Sequence, residues 1–112
     1  MQLELTRQES TLTARLIGEL DHHGAGTVRE RIDTAVLQQH CRRLTLDLSA
    51  LSFMDSSGIG LIMGRYRLMK SLGGELTIYG ASQRLESVIR LAGLEKLPIW
   101  GQTERKTVNE TA

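Results

Sequence analysis

The change of hydrophobic period just after residue 50 constrains this chain most. In "RRLTLDLSAL" Leu44, Leu46 and Leu48 alternate with Thr45 and Asp47, the two-residue period of a strand. The next stretch, "FMDSSGIGLIMGRYR", spaces its apolar residues as a helix does, and predicts one that runs to about Leu72. Gly73-Gly74 marks its stop, because glycine accepts the left-handed geometry past a helix end. "ELTIYG" then reads as a strand again.

The same change of period recurs along the chain. "LEL" and "LTARLIGEL" alternate as strands, and the "RQES" between them is short enough for a hairpin turn. "LDHHGAGT" is a loop. From about residue 25 to 39, Val28, Ile32, Ala35 and Val36 recur at helical spacing, with Thr27 and Glu30 as a capping box. Ser82 caps a short helix carrying Leu85, Val88 and Ile89, which Gly93 ends, and "LPIW" is a last short strand. The order β-β-α-β-α-β-α-β predicts an α/β fold: a mixed, mostly parallel sheet of four to five strands, with an N-terminal hairpin and helices packed on it.

Composition narrows the class. A chain of 112 residues fits one domain and has one cysteine, Cys41, so it has no internal disulfide. A net charge of +1 and four aromatic residues give no reason to expect nucleic acid or an anionic membrane surface. "GIGLIMG" is too short to span a bilayer and "MQLELTRQES" is no signal peptide. A small soluble intracellular domain is expected.

The helix after Met54 carries two apolar sides. At about 100° per residue, Ile59, Ile62, Met63, Tyr66 and Met69 form the stripe that would pack on the sheet. Leu61, Leu68 and Leu72 fall opposite, with Ser57, Gly60 and Gly64 beside them. Either a neighbouring helix covers these leucines, or they form a docking surface flanked by Arg65 and Arg67. Glycine inside a helix costs roughly 0.5–1 kcal/mol against alanine, so Gly58, Gly60 and Gly64 ask for a reason. Close approach of another backbone supplies one.

The serines of "MDSSG" do not form a nucleophile elbow, since the residues two places before Ser56 and Ser57 are Met54 and Asp55 rather than glycine. His22, His23 and His40 cannot be assigned an orienting partner. Asp21 with the adjacent histidines makes a weak metal set, and the glycines lack the Lys-Ser/Thr of a phosphate-binding loop. No catalytic residue, metal or cofactor is expected. Asp55 or Ser56 can cap the helix. Phosphate is also tolerated at a helix N-terminus, so a serine there can be modified without unfolding its helix.

"LIGELDHHGAGTVRERI", "LSALSFMDSSGIGLIMGRYRLMKSLGGELTIYG" and "LAGLEKL" together resemble the anti-sigma factor antagonists of spore-forming bacteria, members of the STAS domain family. The likeness spans about residues 1 to 100 and is greatest to the antagonists acting on the anti-sigma-F factor. It implies a STAS domain over 1–100 and a polar tail over 101–112, a non-enzymatic cytoplasmic protein, and release of a sigma factor that activates sporulation transcription. The implied partners are an anti-sigma factor serine kinase, with bound ATP or ADP, and a PP2C-type serine phosphatase. Ser56 would be phosphorylated, with Ser57 beside it and Asp21 in the loop that contacts the kinase. Asp55, Gly58, Gly60, Leu61, Gly64 and Arg65 complete the expected partner-binding set. An antagonist in a general stress pathway is the alternative. The tail, "GQTERKTVNETA", departs from the family pattern, and no packed helix is expected there.

Overall fold

The structure, a computed structural model, describes residues 1–101. The polar tail expected from residue 101 lies, but for Gly101, outside the described residues. Strands β1 (Gln2–Gln8), β2 (Thr11–Leu20), β3 (Arg43–Met54) and β4 (Glu75–Tyr79) form one sheet in the order β1-β2-β3-β4. β1 and β2 make the antiparallel hairpin through a tight turn at Glu9-Ser10, and β2, β3 and β4 run parallel. Helix α1 (Ala25–Gln39) joins β2 to β3, and α2 (Ser56–Ser71) joins β3 to β4. Helix α3 (Gln83–Ile89) continues into a wide turn over Arg90–Leu94. The fold class is as the periodicity predicts: a single α/β domain with a mixed, mostly parallel sheet.

The register explains the core. Leu12, Leu44 and Leu76 lie abreast, as do Ala14, Leu46 and Ile78, and all six are buried. α1 adds Val28, Ile32, Ala35 and Val36, and α2 adds Ile62 and Met69. The opposite face of the sheet presents Thr13, Arg15, Thr45 and Asp47, with Arg15 lying 3.4 Å from Glu4 and 4.0 Å from Asp47. One face is therefore core and the other meets water.

β3 departs from simple alternation. Arg15 pairs with Asp47 but Ile17 with Ala50, and Gly18 pairs with Leu51 but Glu19 with Phe53. Each shift inserts one extra residue into β3, and such bulges rotate the phase of a strand. Leu48, Leu51 and Met54 consequently all point inward at a spacing of three. The Asp47 carboxylate accepts from the Ser49 N–H and hydroxyl at the first bulge, and the Ser52 hydroxyl donates to the Gly18 carbonyl near the second.

Several local expectations are corrected. The Thr27–Glu30 capping box is not formed: α1 begins after Gly24 without a side-chain cap, and the Asp21 carbonyl accepts from the Ala25 N–H at 3.0 Å instead. "LPIW" makes a single bridge, Ile78 to Trp100, rather than a strand. Val88 is exposed, whereas Gly93, at φ 104°, breaks the helical run that continues from α3 through Arg90, as its place in the sequence requires. The Ser82 hydroxyl does cap α3, accepting from the Leu85 N–H. Gly73 stands at φ 75° past the end of α2, as its place in the sequence requires. Among the described residues, no helix is long and apolar enough to cross a membrane and no group of three or more ligating side chains could hold a metal ion.

Candidate functional site

Because β2 and β3 are parallel neighbours that end together at Leu20 and Met54, the segments after them leave the sheet side by side. The Asp55 N–H donates to the Leu20 carbonyl at 3.2 Å and ties the two exits together. Asp21-His22-His23 and Asp55-Ser56-Ser57 thus form one edge at the carboxyl end of the sheet, where open α/β sheets place their ligands.

Each aspartate organises its own loop. Asp21 Oδ1 accepts from the His23 N–H at 3.0 Å and the Gly24 N–H at 3.3 Å, and its carbonyl accepts from the Ala25 N–H. Partial desolvation pushes its carboxyl pKa upward. The two N–H groups and the neighbouring histidines outweigh that, leaving it below the ordinary value. Asp55 is the N-cap of α2, its Oδ1 accepting from the Ser57 N–H at 2.8 Å. This bond is the largest influence on the Asp55 carboxyl and holds it below the ordinary range against desolvation, with the Ser57 hydroxyl and His22 adding to it. His22 Nδ1 lies 3.7 Å from Asp55 Oδ2, His23 Nδ1 lies 3.8 Å from Asp21 Oδ2, and the two ring centroids lie 4.1 Å apart with the rings tilted by 36°. His22, without an assignable partner from sequence alone, bridges the two loops.

Ser56 is the first residue of α2 and is exposed, whereas Ser57 is half-buried. The capping duty falls to Asp55, so the Ser56 side chain is not needed to start the helix. Gly58 is buried against the ends of β2 and β3, and a Cβ there would meet Met54.

Beyond this mouth, Ser57, Gly60, Leu61, Gly64 and Arg65 line one side of a groove of about 390 Å³. Ala25, Gly26 and Arg29 of α1 form the other side. The structure therefore gathers five of the expected residues along one groove, with Asp21, Asp55 and Ser56 at its head. Of the two readings of the leucines opposite the sheet, a covering helix holds for Leu61. Leu61 is 5% exposed and belongs to the core, Leu68 is half-buried, and Leu72 stands alone at 49%. The reason is α1, which packs beside α2 and covers the side that a helical wheel leaves open. Arg65 is likewise not a flanking surface cation. Its side chain is 8% exposed, and Nε lies 2.8 Å from Asp33 Oδ1 of α1 in a poorly aligned ion pair. Burial pulls the Arg65 pKa below its ordinary value, Asp33 opposes that and Arg29 adds to it. Arg29 and Asp33, four residues apart on α1, were not singled out from the sequence; their i, i+4 spacing was the available signal.

Comparison with known proteins agrees with this architecture. The chain is 39% identical over 101 residues to the anti-sigma F factor antagonist of Paenibacillus polymyxa, covering 89% of this chain and 86% of that protein. It is 27% identical to the anti-sigma-B factor antagonist of Bacillus subtilis, covering 87% of each. Among solved structures, the anti-sigma factor antagonist SpoIIAA in its unphosphorylated form superposes with a TM-score of 0.72 at 30% identity, covering 98% of this chain and 90% of that one. SpoIIAA has also been solved in a phosphorylated form, which matches at 33% identity with the same TM-score, over 92% of this chain and 94% of that one. The STAS domain description matches residues 2–110, and with that match and these relatives the chain belongs to the STAS domain family.

Proposed function

We propose that this protein is an anti-sigma factor antagonist whose docking surface is switched by phosphorylation of Ser56. Unphosphorylated, it binds an anti-sigma factor serine kinase and frees the sigma factor held by that kinase, activating sporulation transcription. The kinase transfers the γ-phosphoryl group of ATP to the Ser56 hydroxyl and releases ADP, and a PP2C-type phosphatase hydrolyses the phosphate to restore binding. The observation that carries this reading is the exposed Ser56 at the head of α2, beside an N-cap made by Asp55 instead of by the serine. A phosphate there meets the positive end of the helix dipole, so the fold tolerates it. It adds about −1.5 to −2 charge, which acts on whatever docks. One added charge about 5 Å from a partner carboxylate costs about 3 kcal/mol at an effective dielectric of 20. That is more than about a hundredfold in affinity.

Incubation with the cognate anti-sigma factor and ATP is expected to place one phosphate on the peptide containing Ser56, read by mass spectrometry, and none in Ser56→Ala. Ser56→Asp is expected to weaken binding about a hundredfold while melting within a few degrees of the wild type. Phosphate on another residue, or a large drop in melting temperature, would remove the surface-switch reading. A general stress pathway is the second reading, supported by the relation to the anti-sigma-B factor antagonist. The higher identity to the anti-sigma F factor antagonist favours the first.

A further inference from the structure

A phosphate on Ser56 would not arrive at an empty helix end. Asp55, the residue before it, holds its Oδ1 on the Ser57 N–H at 2.8 Å, and its carbonyl accepts from the Gly58 N–H at 2.9 Å. The Asp55 carboxylate is therefore fixed at the mouth of α2, and the N–H groups that favour an anion there are partly taken. Consecutive residues lie about 3.8 Å apart at Cα, so a phosphoserine at position 56 stands beside a charge of its own sign. Asp55 Oδ2, which the cap leaves over, faces His22 Nδ1 at 3.7 Å. The loop that carries His22 is anchored independently of that contact. The Leu20 carbonyl accepts from the Asp55 N–H, and Asp21 turns the chain through the His23 and Gly24 N–H groups. His22 is thus held beside the Asp55 carboxylate by backbone, with 71% of its side chain open to any charge added there. The other charged groups around the mouth face elsewhere. His23 faces Asp21 at 3.8 Å, Glu19 and Arg31 line the cavity on the His23 side, and Arg29 lines the groove with Ser57.

We propose that His22, in its protonated form, is the positioning residue that lets Asp55 and a phosphoserine at position 56 share the mouth of α2. The proposal rests on Ser56 as the modified residue, and it adds what holds the modified form together. Histidine is the side chain whose charge changes between about pH 5 and 8, and a phosphoserine approaches a charge of about −2 above about pH 6. As pH rises over that interval the phosphate gains charge while histidine loses its own. The repulsion from Asp55 is therefore least offset on the alkaline side.

Thermal melts of the protein with phosphoserine installed at position 56 during translation, against the unmodified chain, at about pH 6 and about pH 8, test it. No kinase is involved, so the result is separate from the question of which serine a kinase modifies. In wild type the modification is expected to lower Tm by less than about 2 °C at the acid point, and by roughly 2–5 °C more at the alkaline point. His22→Gln, which keeps a donor but no charge, is expected to show the larger loss at both points. His22→Lys, charged throughout, is expected to show the smaller loss at both. A wild-type loss that is the same at the two points, or a His22→Gln protein that behaves as wild type, overturns the proposal. So does the same pattern in His23→Gln or Arg29→Gln with His22→Gln unaffected, which would assign the offsetting charge to that neighbour. If the melts behave as expected while the kinase modifies another residue, the role of His22 stands and the switch falls. If the kinase modifies Ser56 and the melts are insensitive to His22, the switch stands and the role of His22 falls.

Discussion

A methyl group added at Gly58 would collide with Cγ and Sδ of Met54 and stand 3.2 Å from a methyl carbon of Leu20. Met54 and Leu20 are the last residues of β3 and β2, so this glycine lets the first turn of α2 sit directly on the strand ends that carry the site. Alanine in a helix is otherwise favoured over glycine by roughly 0.5–1 kcal/mol, and overpacking a filled core costs about 1–3 kcal/mol. Gly58→Ala is therefore expected to destabilise by about 1 kcal/mol net and to lower Tm by about 4–8 °C. Thermal melts check this, and a variant melting at or above wild type would show that packing is not what demands glycine there.

At the scale of elements, α1 and α2 meet through one apolar contact region, which includes Leu61, and one ion pair, Arg65–Asp33. A buried pair resists the loss of one member more than its replacement, because the surviving charge loses its compensation. Asp33→Ala is expected to cost roughly 3 kcal/mol, with the positive charge of Arg29 nearby making the loss worse. Replacing both members together, Asp33→Ala with Arg65→Met, removes both charges and keeps most of the volume, and is expected to stay within about 1 kcal/mol of wild type. Denaturant unfolding of both variants separates the cases, and equal losses would mean that packing by Arg65 outweighs its charge.

Over the whole molecule, acid stability depends in part on the two aspartates at the strand ends. Asp21 and Asp55 both have folded-state pKa values below the ordinary 3.8. A depressed carboxylate contributes stability that is complete above its unfolded pKa and is lost as pH falls through the folded value. From these two groups, Tm is expected to be flat from neutral pH down to about 5 and to fall below about 4. Asp21→Asn with Asp55→Asn keeps acceptors for the N–H groups but removes the titration, so the fall below pH 4 is expected to shrink. An unchanged acid slope in that double variant would place the loss in other carboxyls.

Read alone, the sequence determined the elements and their order. Alternation in "LTARLIGEL" and "RRLTLDLSAL" and helical spacing at Val28, Ile32 and Val36 report which side of each element is apolar, and that pattern is local. Local chemistry also showed that Asp55 could cap α2 and that Gly73 would follow its end. Helical phase along α2 was legible, but not what lies on each side of it. Whether Leu61 was covered core or docking surface with Arg65 at its rim stayed open, because a wheel plots one helix and α1 is absent from it. Two bulges in β3 set Leu51 and Met54 inward, a change of phase that period-two reasoning cannot follow. Only the tertiary structure decided that α1 closes over Leu61 and Arg65, leaving a glycine-lined groove. Only it placed Asp21, His22 and Asp55 together around Ser56, because that meeting depends on β2 and β3 ending side by side, more than thirty residues apart in the chain.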